Sequence, residues 1–228
     1  MNELPSTASV VIIGGGVMGA STAYHLAKRG VKDVVLLEKE SFFGMGATGR
    51  CAGGIRYQFA TEVNIRLSIH SLQMLDDLEA ETGQPALVRK CGYLLITNGE
   101  SDLEVFKRNV ALQNSLGVMT QLLSGDDVRK MIPLCHFPDA ITGTFHPKDG
   151  LADPNSVVMA YINAARRLGA KCLTDVDVTG IEVSGGKVRG VKTAQGTVAA
   201  ETVVDAAGPW SALIGKMAGV DIPLVPIR

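Results

Sequence analysis

The sequence has few aromatic residues, no excess of either charge and no paired cysteines, and these scarcities exclude several classes of protein. Lys and Arg number 22 against 23 Asp and Glu, which gives a net charge of −1. The long-range attraction that nucleic acids or anionic membranes require is therefore missing. The four cysteines lie far apart without a C-x-x-C pair, which disfavours a zinc ribbon or a dithiol redox site. We expect a protein of a reducing, cytoplasmic setting that does not bind nucleic acid.

Long apolar runs are also missing. Residues 8–20 are mostly apolar, but Gly14, Gly15 and Gly16 interrupt them and the run is too short to span a bilayer. The preceding residues include Glu3 and no Lys or Arg, unlike those of a signal peptide. The four histidines show no spacing that would build a metal site. With 228 residues, of which 46% are hydrophobic, the chain can bury the core of one large domain or two small ones.

The first forty residues have the pattern of a strand, a helix and a second strand. Residues 9–13 form an apolar, largely β-branched run, and residues 17–29 have helical periodicity that stops at Gly30. Residues 34–37 form a second buried strand. Parallel strands joined in this way need helices on the sheet faces. The sequence therefore predicts an α/β fold with a Rossmann-like domain built on a parallel central sheet.

The turn between the first strand and the helix is GGGVMG, which fits G-x-G-x-x-G. Gly14 permits the tight turn, Gly16 lets the backbone approach a pyrophosphate, and Gly19 lets the helix pack closely on the strand. The helix begins with Val17 and Met18. Its N-terminus offers unpaired N–H groups and the positive end of the helix dipole to phosphates. This pattern predicts a dinucleotide site.

Glu38 ends the second strand, at the position from which a carboxylate accepts hydrogen bonds from the adenosine ribose and repels a 2′-phosphate. A glycine-rich turn alone could be purely structural. Here the strand, the glycines, the helix and the terminal acid occur within one βαβ unit, which favours the dinucleotide site over that alternative.

Periodicity and capping signals predict the remaining elements. Helices are predicted over residues 63–78, 101–116, 155–168 and from 210 to about 218, with a short helix capped by residues 124–127. Strands are predicted over residues 93–97, 172–176, 178–183, 188–193 and 202–206. Ser101 and Glu104 have the spacing of a capping box, and Asp153 precedes a proline at the first helical turn. Gly185 and Gly186 suit a hairpin turn, so the three strands around them are expected to form a β-meander.

Four segments resemble the D-amino-acid oxidase superfamily of flavoproteins, in particular its sarcosine oxidase, dimethylglycine dehydrogenase and proline dehydrogenase β-subunit group. They are the opening VVIIGGGVMGASTAYHLAKRG, the acid in LLEKE, the loop GMGATGRCAGGIRYQF and the late TVVDAAGPWS. The resemblance covers essentially the whole chain and implies FAD. The glycine loop and the meander also differ from the regular βα units usual in an NAD-dependent dehydrogenase.

The resemblance implies that the glycine loop wraps the pyrophosphate and that the later segments return beside the cofactor. Small residues suit such positions because a larger side chain would hold the backbone away from a ligand. The residues assigned to FAD in addition to the first turn and Glu38 are Lys39, Thr48, Gly49, Arg50, Ala52, Gly53, Gly54, Val178, Ala206, Ala207, Gly208 and Trp210. Some relatives attach flavin through a histidine in this loop, where this chain has Arg50, so the FAD is expected to be non-covalent. Cys51 is expected to be a packing thiol.

On the substrate side, the resemblance places an arginine after the glycine loop on the substrate carboxylate, and Arg56 matches it. A guanidinium fork pairs with a carboxylate through two parallel hydrogen bonds. A surface or phosphate-facing role is the alternative for this arginine. Tyr57 and Gln58 follow and could face the substrate. The implied reaction is hydride transfer to FAD from the carbon beside an amine, followed by hydrolysis of the imine.

The resemblance also implies the domain organisation. Residues 1–85 and 150–217 are expected to form the FAD-binding domain, and residues 86–149 and 218–228 part of an α+β substrate domain. The relatives are longer, so we expect the amino-terminal part of an enzyme with an exposed apolar surface or a partner chain, either a subunit or an electron-acceptor protein. Two alternatives stay open: a flavoprotein acting on a hydroxy acid or glycerol phosphate, and a non-catalytic nucleotide-binding subunit.

Overall fold

The computed structural model describes residues 3–226, which divide into two compact units. The first unit combines the residues up to Cys51, the segment Glu79–Ala86 and the residues from Asp153 onward. The second unit combines Ala52–Leu78 and Leu87–Ala152. Residues 1, 2, 227 and 228, which the predicted domain bounds include, lie outside the described residues.

The described residues form the following strands and helices in chain order. The strands are β1 Val10–Ile13, β2 Val34–Leu37, β3 Gly54–Ile55, β4 Arg89–Lys90, β5 Tyr93–Thr97, β6 Gln121–Ser124, β7 Thr142–His146, β8 Gly150–Leu151, β9 Lys171–Leu173, β10 Val178–Ser184, β11 Lys187–Thr193, β12 Gly196–Ala199 and β13 Thr202–Asp205. The helices are α1 Val17–Lys28, α2 Glu62–Thr82, α3 Glu100–Ser115, α4 Gly125–Met131, α5 Pro154–Arg167 and α6 Ser211–Met217, with a single 3₁₀ turn at Gly208–Trp210. None of the helices within residues 3–226 has both the length and the apolar character of a membrane-spanning segment.

The first unit is built on a four-stranded parallel sheet with strand order β13-β1-β2-β9. Alternate residues of a strand face opposite sides, and both sides are buried here. Val11 and Leu37 pack with the second sheet of the unit and with Ile214 of α6. Ile12 and Leu36 are fully buried as well, consistent with α1 and α5 packing together near β2 and β9. The predicted fold class, α/β with a parallel central sheet and a β-meander, is confirmed.

The antiparallel meander of the first unit differs from its prediction in membership. It consists of β10, β11 and β12, with Gly185 and Gly186 at positive φ in the predicted hairpin turn. The first of the three predicted strands is β9, which pairs with β2 in the parallel sheet instead. Asp175 adopts a positive φ of 58° between β9 and β10, and this turn separates the two strands. The meander packs on one face of the parallel sheet, where the sequence predicted helices.

The capping box predicted at Ser101 and Glu104 does not form. The helix starts earlier, with Gly99 as its N-cap and no side-chain cap hydrogen bond. Asp102 instead accepts a hydrogen bond of 2.6 Å from the Thr97 hydroxyl, which ties the first turn to the end of β5. Two helices end at Gly83 and Gly169, both with positive φ.

Two other predicted caps are confirmed. Ser124 accepts a hydrogen bond from the Asp127 N–H at 3.2 Å, and the Asp127 carboxylate accepts from the Ser124 N–H at 3.3 Å, which completes a capping box on α4. Asp153 accepts from the Ser156 N–H at 2.6 Å and precedes the proline that opens α5. Both aspartates have pKa values lowered by these hydrogen bonds, from the partner side chain and backbone.

The second unit contains two small antiparallel sheets, β5-β7-β6 and β3-β8-β4. The polar sequence of β7 gives no strand signal, although Thr142, Thr144 and His146 are all buried. Thr142 satisfies its hydroxyl by donating to the Leu123 carbonyl at 2.7 Å. The unit also exposes large apolar side chains, as the sequence predicts; these include Val63, Leu67, Met119 and Leu122.

The compact units differ from the predicted domain bounds. Residues 52–78, predicted with the cofactor domain, lie in the second unit, where Gly54 of β3 pairs with Leu151 of β8. Residues 150–152 lie there too. Residues 218–226 lie in the first unit, because the Val220 N–H donates to the Gly215 carbonyl at 2.9 Å after α6.

Candidate functional site

The first unit contains a cavity of about 620 Å³ at the carboxyl ends of its parallel strands. Residues that directly follow β1, β2 and β13 line it, together with the loop around Thr48 and the side chains of α6. The chain crosses from β1 to β2 on one side, whereas β13 flanks β1 on the other. Open α/β sheets bind ligands at such a switch point, and the volume lies within the range of cofactor sites.

The glycine turn beside the cavity cannot accept side chains at two of its predicted positions. A Cβ on Gly14, whose φ is +109°, would lie 2.4 Å from the Ala206 carbonyl oxygen. A Cβ on Gly19 would lie 1.9 Å from the Gly14 carbonyl oxygen. These contacts bring α1 and β13 against the end of β1, as the motif predicts. Gly16 lines the cavity, and a Cβ there would lie 3.2 Å from the Thr48 hydroxyl.

The first turn of α1 presents backbone amides at the cavity. The hydrogen bond of 2.9 Å from the Ala20 N–H to the Gly16 carbonyl is the first of the helix, so residues 17–19 have no acceptor inside it. The Val17 N–H donates to the Thr48 hydroxyl at 3.2 Å, a contact that a closer-fitting anion could replace. The first turn carries no acidic side chain, which leaves the positive end of the helix dipole available to phosphates.

Glu38 lines the cavity and is only 9% exposed. One of its oxygens accepts from the Gly15 N–H at 2.6 Å and the other from the Glu40 N–H at 2.9 Å. The carboxylate therefore holds the glycine turn to the end of β2, a role that the sequence did not predict. An ionised carboxylate has about four acceptor positions, so it keeps capacity for the hydroxyls of a ribose.

The opposite wall is held by Asp205, which sequence reasoning missed. Its Oδ1 accepts from the Ala207 N–H at 2.9 Å and from the Ser211 hydroxyl at 3.0 Å. These two hydrogen bonds hold the turn at Ala206, Ala207 and Gly208, and all three residues line the cavity. The Asp205 Oδ2 is buried without a hydrogen-bond partner among the described residues. The signal in the sequence was the spacing of Asp205 and Ser211 around a glycine-proline turn.

Two predicted residues form a cation–π pair at the cavity. The Lys39 Nζ lies 4.3 Å from the centroid of the Trp210 ring, and both side chains line the site. Sequence reasoning missed the apolar part of the wall, formed by Leu213, Ile214 and Met217 of α6. Its signal is the apolar spacing that follows the GPW segment.

Most of the residues assigned to FAD thus lie together, and five do not line the cavity. Those that line it are Gly14, Gly16, Val17, Met18, Glu38, Lys39, Thr48, Arg50, Val178, Ala206, Ala207, Gly208 and Trp210. Gly19 and Gly49 pack on backbone carbonyls instead, those of Gly14 and Gly44. Ala52, Gly53 and Gly54 belong to the second unit, where the Gly53 carbonyl accepts from the Ala152 N–H at 2.9 Å.

The second unit contains Arg56, which is half-buried between two aromatic rings. Its guanidinium carbon lies 5.1 Å from the centroid of the Phe59 ring and 5.7 Å from that of Tyr93. Within residues 3–226, no carboxylate lies within ion-pair distance of this guanidinium. The arginine is therefore stacked and partly desolvated, and it can pair with an external anion.

Tyr57 and Gln58 have different environments. The Tyr57 ring is half-buried and contacts the His146 ring edge to face, with 4.8 Å between the centroids. Desolvation is the main cause that raises the pKa of the Tyr57 phenol. Gln58 is 4% exposed and its side chain is fully engaged in hydrogen bonds within the unit. Gln58 is thus a structural residue and does not face a substrate as we had considered.

Comparison with known proteins places this site in a family. The DAO family, described as FAD dependent oxidoreductase, matches residues 9–228. The chain is 36% identical to mitochondrial sarcosine dehydrogenase of Mus musculus over 99% of its own length and 25% of that protein. It is 30% identical to sarcosine oxidase subunit beta of Arthrobacter sp, over 94% of this chain and 54% of that protein.

A solved structure, L-proline dehydrogenase from P. horikoshii, superposes with a TM-score of 0.88 at 36% identity and covers 95% of this chain. The chain spans 57% of that structure, and about a quarter of the mouse enzyme. The glycine turn, the terminal acid and the late turn at residues 206–208 surround one cavity in the first unit. Together with the match over nearly the whole sequence, this shows that the chain belongs to the DAO family of FAD-dependent oxidoreductases.

Proposed function

We propose that this chain binds FAD in an enzyme that oxidises a small amine or amino acid at its C–N bond. The observation that carries the proposal is the cavity at the ends of β1, β2 and β13, where the glycine turn and Glu38 meet. The names of the relatives, sarcosine dehydrogenase and L-proline dehydrogenase, support an amine as the substrate. Bound FAD would supply an acceptor for a hydride from the carbon next to the amine nitrogen, and hydrolysis of the imine product by water would follow.

The residues of the cavity fit this cofactor by their chemistry. The amides at the start of α1 suit the pyrophosphate, because they combine free donors with the helix dipole. Glu38 suits the ribose hydroxyls, since its carboxylate is fixed by two backbone donors at 2.6 and 2.9 Å. The Trp210 ring and the apolar side chains of α6 give the site an apolar wall. The buried Asp205 Oδ2, beside the wall formed by residues 206–208, is an acceptor that has no hydrogen-bond partner among the described residues.

Arg56 is proposed to bind the substrate carboxylate. Its stacking on Phe59 and Tyr93 fixes the guanidinium plane while leaving the fork without a carboxylate from residues 3–226. Partial burial lowers the local dielectric and strengthens a charge-assisted pair. A planar guanidinium then orients an amino acid through two parallel hydrogen bonds.

The proposed reaction class is tested by anaerobic reduction of the bound flavin. Sarcosine, L-proline, glycine or D-alanine should bleach the flavin absorbance of the holoenzyme, because one of these amines donates the hydride. Glycolate and glycerol 3-phosphate should leave the absorbance unchanged. Bleaching by either of the latter, with none by any amine, would assign the enzyme to the hydroxy-acid or glycerol-phosphate alternative.

Replacing Arg56 with alanine is expected to raise KM for the amino acid about 30-fold or more. Truncating one partner of a desolvated charge pair costs about 2–5 kcal/mol. The turnover number should change less than KM, because the carboxylate itself is not altered in the reaction. The matched control is Arg66→Ala: Arg66 is exposed, and its ion pair with Glu62 at 2.7 Å contributes little. Equal KM values for wild type and Arg56→Ala would contradict the proposal that Arg56 binds the substrate carboxylate.

The FAD is proposed to be non-covalent. Arg50 occupies the loop position expected of a histidine linkage; it is exposed, and its Nε donates to the Met45 carbonyl at 3.2 Å. Precipitation of the holoenzyme with acid should therefore release the yellow cofactor into the supernatant. Retention of flavin in the pellet would indicate a covalent link, and a Cys51→Ser variant would then show whether the exposed thiol of Cys51 forms it.

We also propose that the enzyme works with a second protein, either a subunit or an electron acceptor, in a reducing compartment such as the cytoplasm. A relative described as an oxidase subunit beta supports a multi-subunit assembly. All four cysteines are free thiols, which suits a reducing setting. Gel filtration of the complete protein tests the assembly.

A further inference from the structure

The second unit encloses a carboxylate that the proposed reaction does not use. Asp149 is 0% exposed and lies in the turn between β7 and β8. Its Oδ1 accepts from the Tyr57 N–H at 2.8 Å and lies 2.9 Å from the His146 Nδ1. Its Oδ2 accepts from the Gln58 amide at 2.9 Å. A buried carboxylate is tolerated only with such a full set of partners.

The Gln58 side chain extends this network to two strands. Its Nε2 also donates to the Tyr93 carbonyl of β5 at 2.8 Å. Its Oε1 accepts from the Thr144 hydroxyl of β7 at 2.7 Å. The orientation of the Gln58 amide is therefore dictated on both sides, because Asp149 and the Tyr93 carbonyl can only accept while Thr144 donates.

The same turn fixes the backbone on both sides of Arg56. Gly150, which follows Asp149, pairs with Ile55 immediately before Arg56, and the Asp149 carboxylate binds the Tyr57 N–H immediately after it. The turn itself is anchored, because the Asp149 carbonyl accepts from the Gly92 N–H at 2.8 Å. Arg56 thus leaves the backbone from a segment that is held at both ends.

One of the two rings that stack on Arg56 is tied to this network, and the other is anchored separately. Tyr93 contributes its ring to the Arg56 contact and its carbonyl to Gln58. Phe59 contributes the other ring, and its carbonyl accepts from the Gln113 amide at 2.9 Å. The direction of the guanidinium fork therefore depends on a buried polar network rather than on Arg56 alone.

We propose that Asp149 is a positioning residue for carboxylate recognition, acting through the segment that carries Arg56. This inference rests on the proposed role of Arg56 in binding the substrate carboxylate. Asparagine at position 149 keeps the shape but turns one acceptor into a donor that faces the Gln58 amide. Gln58 must then rotate and give up the Tyr93 carbonyl, so that Tyr57, Tyr93 and Arg56 lose their common anchor.

The test measures acetate binding to the holoenzyme through the change that acetate causes in the flavin absorbance. The proteins compared are wild type, Asp149→Asn, Arg56→Ala and the double variant. Asp149→Asn is expected to raise the acetate Kd between about 10-fold and 100-fold, the effect of a displacement near 1 Å in a binding group. Flavin content should stay that of the wild type, and KM for the amino acid should rise with the acetate Kd while kcat changes little. In the Arg56→Ala background, Asp149→Asn should add nothing. Asp139→Asn, an exposed aspartate that accepts from Asn98 at 2.7 Å, serves as the control for loss of one charge.

The outcomes separate the two proposals. An acetate Kd that Arg56→Ala raises but Asp149→Asn leaves unchanged overturns the positioning role, as does full additivity in the double variant. An acetate Kd unaffected by Arg56→Ala overturns the assignment of Arg56 and with it this inference, whereas failure of amines to reduce the flavin overturns the reaction class alone. If Asp149→Asn does not load flavin, Thr144→Val decides. It removes only the donor to Gln58, and an unchanged acetate Kd in that variant rejects the network's role.

Discussion

A Gly19→Ala variant is expected to purify without flavin and to lose about 3 kcal/mol in its free energy of unfolding, the upper end for an overpacked site. The added Cβ would lie 1.9 Å from the Gly14 carbonyl oxygen, a backbone atom that no rotamer change can move. Relief requires α1 to move away from β1 by roughly 1.5 Å to restore an ordinary contact. The amides at the start of α1 would then no longer meet a pyrophosphate.

The measurement is the ratio of flavin absorbance to protein absorbance after purification, together with thermal unfolding. Gly180→Ala is the matched control. Gly180 lies in β10 of the same unit, and a Cβ there would meet only the Lys192 side chain at 3.7 Å. That variant should retain flavin and wild-type stability. A Gly19→Ala protein with a full complement of flavin would show that helix and strand need not pack this closely for the cofactor to bind.

A Glu38→Ala variant is expected to weaken FAD binding about 100-fold. Loss of hydrogen bonds from a charged acceptor to the ribose accounts for about 1.5–3 kcal/mol. The Gly15 and Glu40 N–H groups also lose their acceptor at 2.6 and 2.9 Å, and an unsatisfied buried donor costs about 1–3 kcal/mol. The glycine turn should therefore loosen, and the apoprotein should unfold at a lower temperature.

Titration of the apoprotein with FAD, followed by quenching of flavin fluorescence, gives the dissociation constant. Glu201→Ala removes an exposed carboxylate from the same unit and should change neither affinity nor stability. Glu38→Gln separates the two roles of Glu38, since its amide keeps one acceptor but presents a donor to the other backbone N–H. A Glu38→Ala protein with wild-type affinity and a lowered melting temperature would restrict Glu38 to the structural role.

The sequence predicted the parts of the fold whose signals are local. Strand β1, helix α1 and strand β2 follow from adjacent apolar runs and a glycine stop, and each lies within a residue or so of its predicted bounds. The glycine turn and Glu38 were predicted for the same reason, because one βαβ unit contains all of their signals. The caps at Ser124 and Asp153 likewise involve partners only three residues away.

Features that depend on distant partners could not be predicted in this way. The Gln58 and Asp149 side chains are 91 residues apart in the chain, and neither has a pattern that indicates the other. Strand β7 was missed because its residues are polar. Their burial is made possible by hydrogen bonds to other elements, as in the bond from the Thr142 hydroxyl to the Leu123 carbonyl. The assignment of β9 to the parallel sheet depends on its pairing with β2, which only tertiary structure decides.

The position of β13 has a consequence for how the protein is made. β1 is the second strand of its sheet in spatial order, and its neighbour β13 pairs residue for residue from Val10 with Thr202 to Ile13 with Asp205. Such remote pairings raise contact order and slow folding. During translation, which delivers the amino end first, one edge of β1 stays open until residues 202–205 have left the ribosome. A nascent chain halted before residue 202 would carry that uncovered edge, the kind of surface that chaperones bind and that otherwise joins other strands.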